Sequence, residues 1–118
     1  MRHVRTDEGR AQALAVAHLR ELGHTRIGHV SMPLHPRATT ALVGAQEVER
    51  ATYPDARDRA RGFLDAAGAD APLVEASAAD VTGGEAAARL LLGLPADTRP
   101  SAIVAQSDLL AAGVIRAA

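Results

Sequence analysis

Apolar positions along this 118-residue chain follow two alternating rhythms. From Gly9 to Leu22 the spacing is helical. Leu14, His18 and Leu22 fall at i, i+4 and i+8 with Ala11 and Ala15 beside them, which predicts a narrow buried stripe that includes His18. Residues 3–5 read as the last step of a strand. Thr6 then reads as the helix N-cap, with Asp7 and Glu8 in the first turn and Gly23 as the terminator. Residues 26–32 (Arg-Ile-Gly-His-Val-Ser-Met) read as a strand stopped by Pro33. Residues 33–54 are the least regular stretch, with Pro33, Pro36, Pro54, a Thr pair and Gly44. They predict a long loop with one helical turn around Gln46–Arg50, and such loops in compact domains are often functional.

Pro54 suits the first turn of a helix running to Ala67, with Ala56, Ala60, Phe63, Leu64 and Ala67 as its apolar stripe and Gly68 beyond. Residues 71–76 read as a short strand. Thr82-Gly83-Gly84-Glu85 has the form of a capping box opening a helix that Gly93 closes. Residues 101–106 are apolar on consecutive positions, as in a strand covered on both faces, and Ser107 caps a last helix. The alternation predicts an α/β fold: a three-layer arrangement with a parallel sheet of three strands and helices on both faces. Such a sheet has two raw edges, and the chain reads as a piece of a larger α/β protein.

Composition narrows the chemistry. There are 27 alanines, while Leu, Ile, Val and Phe together number 26. That second group is about 22% of the chain, near the roughly 20% below which disorder sets in, so the core must be Ala-rich and aliphatic. The absence of Cys excludes disulfide scaffolds, thiol catalysis and Cys-type zinc sites. The absence of Lys excludes P-loop and Schiff-base lysines. Net charge is −1 with both signs interspersed, so no basic stripe marks a nucleic-acid surface. The charged N-terminus is no secretory signal, and no apolar run approaches the length of a membrane span. The five histidines, His3, His18, His24, His29 and His35, match no metal-ligand spacing, so neither a metal nor another cofactor is expected. No nucleophile elbow or nucleotide fingerprint is present either, and the chain does not read as an enzyme.

Open parallel sheets bind ligands outside the carboxyl ends of their strands. Here those ends are Ser31 to Pro33, Ser77 to Asp80 and Gln106 to Asp108, and Arg59 lies early enough in its helix to reach the same edge. An Arg with flanking hydroxyls and a carboxylate suits a polyhydroxylated ligand or a carboxylate. The plain alternative is that these residues are ordinary helix caps and surface charges.

Four motifs in order carry a resemblance. Thr6-Asp7-Glu8-Gly9 is followed by His18-Leu19-Arg20-Glu21-Leu22-Gly23-His24-Thr25-Arg26-Ile27; then come Arg59-Ala60-Arg61-Gly62-Phe63, Thr82-Gly83-Gly84-Glu85-Ala86-Ala87, and the run from Pro100 through Gln106-Ser107-Asp108 to Gly113. Together they resemble the LacI/GalR family of bacterial transcriptional regulators. The resemblance implies a periplasmic-binding-protein-like sensor core of two α/β subdomains with an effector between them, of which residues 1–118 supply part of one. It assigns effector contact to Arg59, and to Tyr53 and Asp55 just upstream. Ser107 stands where the family has Asn, keeping a hydroxyl but not the amide. Asp108 matches the family's Asp and doubles as a helix cap. Gln106 completes the candidate set at that strand end. Ala78 stands where some members stack an aromatic on the effector, so stacking from this lobe, and with it a nucleobase effector, is not expected.

The same resemblance implies a cytoplasmic homodimer that senses a small effector, a sugar or related metabolite. It touches DNA only through an N-terminal helix-turn-helix missing from these residues, and no membrane is involved. The expectation is therefore a truncated sensor domain that binds effector weakly because one wall of the cleft is absent. The alternatives are a fragment of a sugar-binding transport protein and a dimerisation module without ligand.

Overall fold

The computed structural model describes residues 8–118, and the strand step at 3–5 and the cap at Thr6 lie outside them. Along the chain come helix α1 (Glu8–Glu21), strand β1 (Ile27–Ser31), strand β2 (Ala41–Leu42) and helix α2 (Ala45–Glu49). Helix α3 (Pro54–Ala67), strand β3 (Leu73–Glu75), helix α4 (Val81–Leu92), strand β4 (Ala102–Ala105) and helix α5 (Asp108–Ala117) follow. The strands form one sheet in the order β2-β3-β1-β4. β1 is central and pairs in parallel with β3, Ser31 opposite Glu75, and with β4, Val30 opposite Ala105.

The α/β architecture with helices on both faces is as expected, with one correction. The described residues hold four strands rather than three, and the sheet is mixed. β2 runs antiparallel to β3, Leu42 opposite Val74, and the Val43 N–H donates to the Leu73 carbonyl at 2.9 Å. The loop lays two residues along the edge of β3 and pairs polar groups that a three-strand sheet would leave raw. A two-residue strand shows no alternation, which is why its pattern does not announce it. The helical turn expected in the same loop is α2.

Side chains alternate across the sheet. On one face Ile27, Leu73 and Val104 pack with Val16 of α1 and with Ala60, Phe63 and Leu64 of α3. On the other, Val30, Val74 and Ala76 pack with Ala87 and Leu91 of α4 and Leu110 of α5. The expected stripe on α3 is the buried one, apart from a half-buried Ala67.

α1 buries a different stripe. Leu14 and Leu22 are 60% and 64% exposed and His18 is exposed, while Gln12 and Val16 are buried and Ala15 and Leu19 pack beside them. The cause is steric. α1 meets α3 where Gly9 lies against Gly62, so closely that a Cβ on Gly62 would collide with the Gly9 backbone. That contact turns the Gly9, Gln12, Val16, Leu19 face inward. α4 also starts differently: its N-cap is Asp80, whose Oδ1 accepts from the Gly83 N–H at 2.6 Å, and Thr82 to Glu85 lie inside the helix. Glu85 pairs instead with Arg89 at 2.7 Å. Ser107 caps α5 as expected, its Oγ accepting from the Leu110 N–H at 3.2 Å.

The α1 register gives a direct prediction. In urea unfolding, Val16→Ala should cost about 2 kcal/mol, while Leu14→Ser and Leu22→Ser should stay within about 0.5 kcal/mol. The reverse ranking would mean that the helix buries the face carrying Leu14. A second prediction concerns α4 and α5, which touch at Gly113, where a Cβ would strike the Val81 carbonyl and the Gly84–Glu85 backbone. Gly113→Ala should destabilise by roughly 1–3 kcal/mol through overpacking, measured the same way.

Candidate functional site

Where the parallel ladders stop, each backbone group needs another partner. The last ladder bonds run from the Ala76 N–H to the Ser31 carbonyl (2.9 Å) and from the Gln106 N–H to the Val30 carbonyl (3.1 Å). Beyond them, side chains take over. The Met32 N–H donates to Gln106 Oε1 at 3.0 Å and the Leu34 N–H to Glu75 Oε2 at 2.6 Å. Pro33, between them, has no N–H. The Leu34 carbonyl accepts from the Thr52 and Tyr53 N–H groups at 2.8 and 3.2 Å, closing the base of the 33–54 loop. The exit of β1 is thus stitched to its neighbouring strands by two buried polar side chains, Gln106 (6% exposed) and Glu75 (7%).

Gln106 has further partners. Its Nε2 lies 3.2 Å from the Ala56 carbonyl in the first turn of α3 and 3.0 Å from Nε2 of His29. The His29 ring is fully buried and stacked on Phe63, with centroids 4.4 Å apart and planes 21° from parallel. Burial drives the imidazole down to about 3, opposed in part by the Val104 backbone. Nδ1 has no hydrogen-bond partner among the described residues. The ring is therefore neutral at neutral pH.

Arg59 comes from the second turn of α3 and is half-buried. Its Nη1 lies 3.3 Å from the Gln106 carbonyl and 3.5 Å from Met32 Sδ, so its guanidinium rests across the carboxyl ends of β4 and β1. Ser107 follows Gln106 directly and is half-buried, its hydroxyl engaged in capping α5. The structure thus joins Arg59 and Gln106, with Ser107 adjoining. Tyr53, the N-cap of α3, and Asp55 and Asp108, in the first turns of α3 and α5, are exposed and reach no hydrogen bond with this group among the described residues. Ala78, the position considered for stacking, is half-buried ahead of α4.

Sequence reasoning gave Glu75 and His29 no place at this site, and reached Met32 only as part of the strand end from Ser31 to Pro33. Polar residues inside an apolar strand were the available signal for the first two, since such groups persist in a core only when bonded. Clefts of about 420 and 380 Å³ lie toward the amino ends of the strands, both touching Leu42, Asp70 and Pro72. A third, about 270 Å³, is lined by Leu34, His35, Val43, Glu47, Arg50 and Glu75. None of these three is lined by Arg59, Gln106 or Ser107.

A family model described as a periplasmic binding protein-like domain matches residues 16–118. The chain belongs to the periplasmic binding protein-like domain family. Within that family its curated relatives are regulators. It is 37% identical over 112 residues to the HTH-type transcriptional regulator MalR of Streptomyces coelicolor, a match covering 95% of this chain and 29% of that protein. Among solved structures, a LacI transcriptional regulator from a Rhodococcus species superposes with a TM-score of 0.73 at 32% identity, covering 97% of this chain and 37% of that one. A LacI-family regulator from Enterococcus faecalis, solved with bound ribose, superposes with a TM-score of 0.65 at 27% identity, over 95% of this chain and 34% of that one. The chain therefore spans about a third of the length of these relatives. The LacI/GalR resemblance carried by the motifs is upheld.

The buried imidazole makes this periplasmic binding protein-like domain sensitive to acid. His29 titrates near 6.5 when unfolded and about 3 when folded. Between those values the unfolded chain binds a proton that the folded one refuses. Stability is therefore lost as pH falls below 6.5, approaching about 1.4 kcal/mol per pH unit. From pH 6.5 to pH 5 the urea-unfolding free energy of the wild type should fall by about 1.5 kcal/mol more than that of His29→Phe. Parallel pH profiles would show that the ring accepts a proton in place.

Proposed function

We propose that this chain is the effector-sensing part of a LacI-type transcriptional regulator, and that a sugar or related polyhydroxylated metabolite rests on the wall formed by the carboxyl ends of β1 and β4. The observation that carries this reading is the seat of Arg59. A guanidinium placed across two parallel strand ends, against the backbone carbonyl of the residue before Ser107, offers charge-assisted donors to sugar hydroxyls or to a carboxylate. In this reading the exposed Tyr53, Asp55 and Asp108 extend the contact as the ligand's size requires. The relative solved with ribose supports the choice of ligand class. No cofactor or metal is part of the reading, and no catalytic role is assigned, in keeping with relatives named as regulators.

Residues 1–118 are then part of one sensor domain, with the 33–54 loop bordering its wall. Contact with operator DNA falls to a helix-turn-helix of the kind for which the Streptomyces relatives are named. The regulator acts as a homodimer in the cytoplasm, where its operator is. Among the described residues no helix is long and apolar enough to cross a membrane.

NMR titration of the chain with D-ribose and D-glucose should shift the amide signals of Arg59, Gln106 and Ser107. Arg59→Ala should weaken that binding roughly 10-fold or more, as expected for loss of a charge-assisted hydrogen bond. Equal affinities in the two proteins would remove Arg59 from the site.

A further inference from the structure

The Gln106 side chain was a candidate for touching the effector, yet its bonds point inward. A carbonyl only accepts and a backbone N–H only donates. The atom facing the Ala56 carbonyl is therefore the NH2 group, and the atom receiving the Met32 N–H is the oxygen. With the amide oriented in that way, its second N–H meets His29 Nε2, which must accept. The His29 proton then sits on Nδ1, and the ring is held against Phe63. Both amide protons and the amide oxygen are thus engaged inside the protein. The three segments they hold are the exit of β1 at Met32, the first turn of α3 at Ala56, and His29 in mid-strand. Two of the groups that meet the Arg59 guanidinium, the Gln106 carbonyl and Met32 Sδ, belong to the residue that carries this amide and to the residue it bonds. Ala56 lies three residues before Arg59 on the same helix.

We propose that Gln106 is a positioning residue for effector binding: its amide, fixed between Met32, Ala56 and His29, builds the seat that holds Arg59 at the ligand-facing wall. The inference rests on the sensor reading above but concerns a residue that never touches the ligand. It separates Gln106, whose amide is buried and turned inward, from the exposed Asp108 two residues on. It also gives the buried His29 a role, since only the Nδ1–H form accepts from Gln106.

Nitrogen-15 NMR of the whole chain tests it in two steps. In the wild type at neutral pH, His29 should show the Nδ1–H tautomer, and the Arg59 guanidinium should show slowed rotation. The opposite tautomer, or a charged ring, would overturn the proposal before any variant is made. Gln106→Met keeps the volume and removes the bonds, and Gln106→Glu keeps the acceptor for Met32 but loses the donors. In whichever of them folds, the Arg59 guanidinium should rotate measurably faster than in the wild type and D-ribose should bind at least 10-fold more weakly. Leu64→Ala, a buried change on α3 away from the wall, serves as the control for lost stability. At comparable loss of melting temperature it should leave ribose affinity within about twofold. Unchanged Arg59 signals in the Gln106 variants, or an equal loss of ribose affinity in Leu64→Ala, would refute the positioning role. If the wild type binds neither ribose nor glucose, the ligand class proposed above fails, while the Arg59 signals still decide whether Gln106 builds the seat.

Discussion

The fold and its wall both depend on a completely buried central strand, five residues long, with parallel neighbours on each side. A strand so enclosed must satisfy every backbone group within the protein, and where its ladder ends the next groups cannot turn to bulk water at no cost. Gln106 and Glu75 answer that need from the strands on either side, each bonding one N–H of the exit segment. The polar residues gathered at this end are thus first a consequence of ending a buried parallel sheet. Their usefulness for recognition follows from their rigidity, because a guanidinium laid on groups that cannot shift is already ordered when a ligand arrives.

Much of this arrangement is legible in the chain, and the parts that are not share physical causes. α3 is readable from end to end because Pro54 starts it, Gly68 stops it and a strong apolar stripe runs between. The buried face of α1 is not. In an Ala-rich helix the periodic signal is weak, and the face is chosen by where a second helix can come close, a fact that resides in Gly62, 53 positions after Gly9. β2 is hidden because two residues carry no rhythm. At the wall, Arg59 and Ser107 are readable from local motifs. The inward turn of the Gln106 amide is not, since its partners lie 50 to 77 residues away.

Family membership and physical reading meet at the same strand ends. The motif that carries the likeness to LacI-type regulators, Arg-Ala-Arg-Gly-Phe at residues 59–63, supplies three structural elements at once. Arg59 stands at the wall, Gly62 admits α1, and Phe63 stacks on the imidazole beneath. One short run therefore couples helix packing, core polarity and the recognition surface. All three positions lie within five residues of one helix.

The antiparallel β2 gives the sheet a direction of growth. On its outer flank a newcomer would find only two residues in extended form, while β4 at the opposite margin presents four, in line with the parallel strands. Among the described residues, a further strand would therefore have twice the length to join at the β4 margin as at β2.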